Sequence, residues 1–261
     1  MRVMFFDNTT NQLPSFFMNS VPKSGTHLLK QILLGIPDVT HSPKNVFYEG
    51  KLKDNAEHFY KLGQLKDNEF AMGHVYYSDE WNYMLKRLGM KHVFLIRDPR
   101  DVVVSFAYFI VNKLPNHPLY EYFTEPDTTQ KDRYMALIKG KKTKMMDYGN
   151  IKVWFGDFIG WLEVEDVYKV TFEELMVSEE SRRTAIKKLA KFLWKDLKPP
   201  VSMKEMVQQM EANINPSRSM TFRKGEIGSW KGEFDEETIQ AFKDVTGDLL
   251  IDLGYETDNN W

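Results

Sequence analysis

One stretch limits what this chain can fold into more than any other: Phe16-Phe17-Met18-Asn19-Ser20-Val21-Pro22-Lys23-Ser24-Gly25-Thr26-His27-Leu28-Leu29. Its apolar, aromatic start reads as a buried strand. Pro22 and Gly25 break the strand, and Thr26 opens a segment with helical spacing that Gly35 and Pro37 close. Strand, tight turn and helix N-terminus together build an anion site. Unpaired N–H groups at the helix start point into the turn, and the helix dipole favours negative charge there. Lys23 adds a full positive charge, while Ser24, Thr26 and His27 add side-chain donors. The same residues also suit an ordinary strand-to-helix turn with an exposed lysine.

The rest of the chain alternates strands with helices. Phe70-Ala71-Met72-Gly73-His74 reads as a short strand, and Asp79 starts a helix whose apolar residues Trp81, Met84, Leu85 and Leu88 recur three and four apart. His92-Val93-Phe94-Leu95-Ile96 is the clearest buried strand and runs into Arg97-Asp98-Pro99-Arg100-Asp101, then a helix over residues 102–112. Helix patterns fall at 56–65, 181–194 and 202–212, over Val153, Phe155, Phe158 and Trp161, and finally at 236–253; Val167-Tyr168-Lys169-Val170-Thr171 supplies another strand. Residues 113–150, with Pro115, Pro118, Pro126 and a lysine cluster at 139–144, read as a long irregular region, either a binding loop or a solvated one. This order predicts one α/β domain over residues 1–261, with a central, mostly parallel sheet and helices on both faces. Ligands of such sheets sit at the carboxyl ends of the strands, where Lys23, His74 and Arg97 fall.

Composition removes several classes of function. With 261 residues and 42% apolar side chains the chain is long enough to bury a substantial core. A formal net charge of −2 argues against nucleic-acid binding. The absence of cysteine rules out disulfides, thiolate catalysis and cysteine-ligated zinc. No apolar run approaches membrane-spanning length, which predicts a cytoplasmic protein.

The Lys23 loop is not the nucleotide-binding G-x-x-x-x-G-K-[ST] motif, because Asn19 stands where its first glycine would be and Lys23 precedes Gly25. The order Pro-Lys-Ser-Gly-Thr instead resembles the 5′-phosphosulfate loop of sulfotransferases that use 3′-phosphoadenosine 5′-phosphosulfate (PAPS). A second likeness lies in Arg97-Asp98-Pro99-Arg100-Asp101-Val102-Val103-Val104-Ser105, which resembles the same family's 3′-phosphate motif, including the arginine-to-serine spacing. On its residues alone, Arg97 either pairs with Asp98 or Asp101 or offers its fork to an anion. A third is Arg223-Lys224-Gly225, followed by Trp230-Lys231, similar to the family's Arg-Lys-Gly-x-x-Gly-Asp-Trp-Lys segment with Ser229 in place of the aspartate.

The resemblance implies a P-loop-like sulfotransferase fold. It implies PAPS as co-substrate, held by Lys23, Ser24, Gly25, Thr26, His27, Leu28, Arg97, Ser105, Arg223, Lys224 and Gly225, with adenosine 3′,5′-bisphosphate (PAP) as product and no metal. His74 lies where the family places its catalytic histidine relative to the arginine, and an imidazole poised near neutral pH suits a general base. The family often has a lysine-threonine pair before that histidine; this chain has Met72-Gly73. For adenine, Leu28 replaces the family's tryptophan and Phe172 its tyrosine, with Phe222 as a further contact; Phe172 also suits a core position. Tyr76, Tyr77, Phe106, Tyr108, Phe109, Tyr120 and Phe123 suggest a small, partly apolar hydroxyl acceptor whose identity the sequence leaves open, as it does the oligomeric state. A nucleotide phosphotransferase of related fold and an inactive nucleotide-binding module are the alternative readings.

Overall fold

The computed structural model describes residues 11–48, 55–144, 146–219 and 224–261. In chain order its elements are β1 (Phe16–Ser20), α1 (Thr26–Leu33), β2 (Val46–Tyr48), α2 (Asn55–Gly63), β3 (Phe70–His74), α3 (Asp79–Arg87), β4 (Lys91–Ile96) and α4 (Pro99–Lys113). There follow α5 (Tyr120–Phe123), α6 (Gln130–Lys139), β5 (Lys141–Lys142), β6 (Asp147–Tyr148), α7 (Ile151–Ile159), β7 (Val167–Thr171), α8 (Phe172–Met176), α9 (Glu179–Leu193), α10 (Met203–Ala212), α11 (Glu236–Thr246) and α12 (Leu249–Asp252).

Five strands form one parallel sheet in the order β2-β3-β1-β4-β7. Central β1 pairs Phe16 with Phe70 of β3 on one side and with Lys91 of β4 on the other. Successive strand residues point to opposite faces. Phe16, Met18, Phe70, Met72, Val93 and Leu95 therefore pack with α1, α9 and α10 on one face, through Leu29, Ile186, Leu189 and Met206. Phe17, Ala71, Phe94 and Ile96 pack on the other, against Trp81 and Leu85 of α3 and Val102 and Val103 of α4. Because both faces are covered, the strands read as continuous apolar runs rather than alternating ones.

Three expectations are corrected. Residues 113–150 are not irregular throughout: α5, α6, β5 and β6 lie among them. The Thr129 hydroxyl accepts from the Asp132 N–H while the Asp132 carboxylate accepts from the Thr129 N–H, and this capping box starts α6, which buries Tyr134, Leu137 and Ile138. The lysine cluster then divides between the end of α6 and the antiparallel β5–β6 pair, with Lys141 Nζ 4.0 Å from the Tyr122 ring centre. Second, α4 begins at Pro99 rather than at 102: proline suits the first helical position, and the Asp98 carboxylate accepts from the Arg100 N–H at 2.9 Å. Third, the helix read at 236–253 divides at Gly247, whose φ of 56° ends α11 before α12.

Candidate active site

The chain leaves the sheet at Ser20, His74 and Ile96, the carboxyl ends of three adjacent strands, and each exit delivers a chemically active residue. After Ser20 comes a turn in which Lys23 (φ 70°) and Gly25 (φ 100°) both take left-handed conformations. For lysine that backbone is strained, and such strain persists where the surroundings impose it. A Cβ on Gly25 would lie 2.6 Å from Cδ2 of Phe172, so only glycine lets the turn close over that ring. The amides of Gly25, Thr26 and His27 then stand at the start of α1, where no helical carbonyl precedes them.

A second residue sits at the end of β3, where His74 is half-buried. Its Nδ1 lies 2.8 Å from the Ser20 carbonyl oxygen and 3.2 Å from Ser20 Oγ. A carbonyl only accepts, so Nδ1 carries the proton and Nε2 holds the lone pair. Burial holds the His74 pKa down to about 4; His27 and Lys23 depress it further, against the lift from the Ser20 carbonyl. This corrects the expectation of an imidazole poised near neutrality: His74 is the free base throughout the neutral range. Ser20 Oγ is also 2.8 Å from the Thr26 hydroxyl, which joins the Lys23 loop to His74. The backbone after His74 is fixed as well. Asn19 Oδ1 accepts from Val75 N at 3.0 Å, and the Val75 carbonyl accepts from Asn19 Nδ2 at 2.9 Å and from Trp161 Nε1 at 3.0 Å. The Met72-Gly73 departure has a packing reason: a Cβ on Gly73 would meet the Phe47 carbonyl oxygen at 2.8 Å and Phe17 at 3.1 Å.

Arg97 follows β4. Its Nη2 donates to Asp101 Oδ2 at 3.1 Å and to the Glu226 carbonyl at 2.6 Å, and its guanidinium carbon lies 4.3 Å from the centre of the Phe172 ring. Its Nε is buried without a partner. The Asp101 pairing anticipated as one alternative therefore forms, yet Arg97 still borders open space.

That space is a cavity of about 1200 Å³ into which all three strand ends open. Its lining includes Lys23, Gly25, Thr26, His27, Leu28, Arg97, Ser105, Phe172, Lys224 and Gly225. It also includes His74 and the largely aromatic set Tyr48, Tyr76, Phe106, Phe109, Trp154 and Phe158. Lys23 meets the aromatic set, with Nζ 3.8 Å from the Phe109 ring centre. His117 also lines the cavity; its Nδ1 accepts from Leu119 N at 3.2 Å, and burial lowers its pKa to about 4, so it too is neutral.

The structure thus brings together most of the residues singled out in the sequence, and sets others apart. Ser24 does not line the cavity: it is fully buried, its N–H donates to the Val21 carbonyl at 3.2 Å, and its hydroxyl has no partner. Among the aromatics, Tyr76, Phe106 and Phe109 line the cavity. Tyr77 instead packs on Trp161 and donates to Asp79, Tyr108 donates to Glu233, and Phe123 is core, with Tyr120 packed against it. Phe222 and Arg223 lie outside the described residues. Asn19, Ser20, Tyr48 and Trp154 are site residues that the sequence reading missed. Of these, only Asn19 carried a signal, as an amide inside an apolar strand.

The sulfotransferase domain family matches residues 13–254. The chain belongs to the sulfotransferase family. It is 30% identical over 174 residues to a 3-alpha-hydroxysteroid sulfotransferase of Cavia porcellus, an alignment that spans 59% of the chain and 54% of the relative. It is 23% identical over 286 residues to an amine sulfotransferase of Oryctolagus cuniculus, spanning 94% of the chain and 86% of the relative. In fold it is similar to mouse sulfotransferase SULT7A1, solved in complex with PAP, at a TM-score of 0.64 and 22% identity over 93% of the chain and 87% of the other. It is also similar to retinol dehydratase, solved with androsterone and PAP, at a TM-score of 0.60 and 17% identity over 91% of the chain and 81% of the other.

Proposed function

We propose that this sulfotransferase transfers a sulfuryl group from PAPS to a hydroxyl of a small, uncharged, largely apolar acceptor, releasing PAP. The observation that carries the proposal is the convergence of Lys23, His74 and Arg97 on one cavity from three adjacent strand ends, with His74 presenting its unprotonated Nε2. The residues fit the donor. The cations Lys23, Arg97 and Lys224 line the cavity. Arg97 Nε is buried and unsatisfied, and Gly25 and Gly225 both have the positive φ that lets backbone approach an anion. The PAP complexes of SULT7A1 and retinol dehydratase support the same choice.

PAPS supplies the electrophilic sulfur and departs as PAP. His74 Nε2 takes the acceptor proton while the Ser20 carbonyl steadies the imidazolium that results. Lys23 neutralises charge growing on the departing 5′-phosphate, aided by the amides that open α1. Arg97, Ser105 and Lys224 hold the 3′-phosphate, which orients the donor without entering the chemistry. Arg223 and Phe222 stay assigned to the 3′-phosphate and adenine by family resemblance alone. Phe172 supports the Arg97 guanidinium from below, in addition to bordering the adenine. The lining residues Tyr48, Tyr76, Phe106, Phe109, Trp154 and Phe158 are uncharged and suit an uncharged, largely apolar acceptor; the carboxylates in the described lining are Glu211 and Glu226.

Thermal unfolding with ligands tests the donor assignment. At a hundredfold excess over Kd, PAP stabilises by about 2.7 kcal/mol. ATP with magnesium gives much less, because it lacks the 3′-phosphate that Arg97, Ser105 and Lys224 hold. Stabilisation by ATP with magnesium alone, abolished by EDTA, would make the chain a phosphotransferase.

A further inference from the structure

Asp101 does not line the cavity, yet it ties together groups that do. It is fully buried in the first turn of α4. Its Oδ2 accepts from Arg97 Nη2 at 3.1 Å and from Gly228 N at 2.8 Å. Its Oδ1 accepts from Ser229 Oγ at 3.0 Å and from Trp230 N at 3.1 Å. One of these donors comes from the end of β4 and three from the segment 228–230. Just before that segment stand Lys224 and Gly225, which line the cavity, and the Glu226 carbonyl between them and Gly228 accepts from Arg97. Arg97 and this segment are thus joined twice, once directly and once through Asp101.

The far side is clamped as well. The Arg100 guanidinium carbon lies 4.0 Å from the Trp230 ring and 4.4 Å from the Trp261 ring, while its nitrogens donate to Asp98 and pair with Glu256. Gly228 has a φ of 72°, the conformation that turns its N–H and that of Trp230 toward the same carboxylate. A buried carboxylate is tolerated where its lone pairs are filled, and here four donors fill them. Ser229, which departs from the family's aspartate, contributes one of the four. An aspartate at that position would bring a second negative group against a buried one.

We infer that Asp101 is a positioning residue for the donor's 3′-phosphate: it fixes the Arg97 fork and holds the 224–230 segment over the cavity, so that Arg97, Lys224 and the Gly225 backbone meet the same anion. The inference rests on the PAPS reading given above. Its test compares two ligands that differ only in that phosphate, PAP and adenosine 5′-monophosphate (AMP), by calorimetry on the full chain.

The wild type binds PAP about a hundredfold more tightly than AMP, as charge-assisted hydrogen bonds to one phosphate allow. Asp101→Asn keeps the size but loses acceptors, and weakens PAP by about tenfold or more while AMP stays within about twofold. Ser229→Ala removes one donor and weakens PAP alone by a few-fold; its ratio decides the matter if Asp101→Asn does not fold. A merely structural role would weaken both ligands together, and that result overturns the inference. So does a wild-type PAP-to-AMP ratio kept in both variants. If the wild type itself binds AMP as tightly as PAP, the donor reading falls and the Asp101 inference falls with it.

Discussion

The pH dependence of turnover follows from where the fold puts His74. A free imidazole titrates near 6.5, but burial at the end of β3 brings this one to about 4. The sign is that of a base whose charged form is disfavoured: activity is present above the lowered pKa and is lost as pH falls through it. At pH 5 the ratio of neutral to protonated His74 is 10^(5−4), so about nine-tenths of the enzyme remains competent. An unperturbed histidine would leave about 3% at that pH, a difference of roughly thirtyfold. Initial rates at low PAPS and low acceptor, from about pH 4 to about pH 8, give kcat/KM, which reports the free enzyme. The limb belongs near pH 4; in kcat it moves upward, because bound phosphate oxygens offset the depression by Lys23. His74→Ala removes the limb and lowers turnover by about a hundred- to ten-thousandfold. His117, also held near 4, is the control, and His117→Asn keeps the limb. A limb near 6.5 in the wild type, or one that survives His74→Ala unchanged, would refute this reasoning.

Lys23→Ala removes stabilisation of charge that develops in the transition state, so kcat falls by about two to three orders of magnitude. Arg97→Ala acts on a spectator phosphate and chiefly raises the KM for PAPS; PAP bound by this variant as tightly as by wild type would remove Arg97 from the site. Gly25→Ala places a Cβ 2.6 Å from Phe172 at a φ of 100°, and both melting temperature and PAPS affinity drop, measurable by calorimetry. His92 is buried among Phe17, Phe94 and Trp161 with neither ring nitrogen partnered, and its pKa is lowered to about 3. Its neutral form favours folding above 6.5, and that contribution is lost between 6.5 and 3, about 2 kcal/mol of it by pH 5; His92→Phe flattens the stability profile in urea titrations over that range.

The strand–turn–helix at Lys23 was legible because each step carries its own signal: an apolar run, Pro22 and Gly25 as breakers, and helical spacing from Thr26. The strand at 92–96 and that at 167–171 were legible for the same reason, and the parallel order followed from alternation of strands with helices. Residues 113–150 were not, since Pro115, Pro118 and Pro126 break the helical spacing before the Thr129–Asp132 cap and the buried Tyr134 and Leu137. The lowered pKa of His74 was hidden too, because burial and the Ser20 carbonyl are set by three strands distant in sequence. Ser24 looked like a donor by adjacency to Lys23. The turn that lifts Lys23 and Gly25 to the cavity sends Ser24 inward, and no residue pattern reports that direction.

The central claim is that the Lys23, His74 and Arg97 ends of one sheet catalyse sulfuryl transfer. Its most direct test is the fate of the sulfuryl group when the full chain, in excess EDTA, meets sulfur-labelled PAPS and a panel of uncharged hydroxyl acceptors. Turnover in EDTA is expected because the proposed mechanism uses fixed cations where phosphoryl transfer recruits magnesium, and the sulfuryl group carries less charge than a terminal phosphoryl group. Label passing to an acceptor with one PAP released per transfer is the predicted result, and it is lost in His74→Ala. Label that stays on PAPS for every acceptor, while the chain transfers phosphate from ATP once magnesium is restored, would contradict the account.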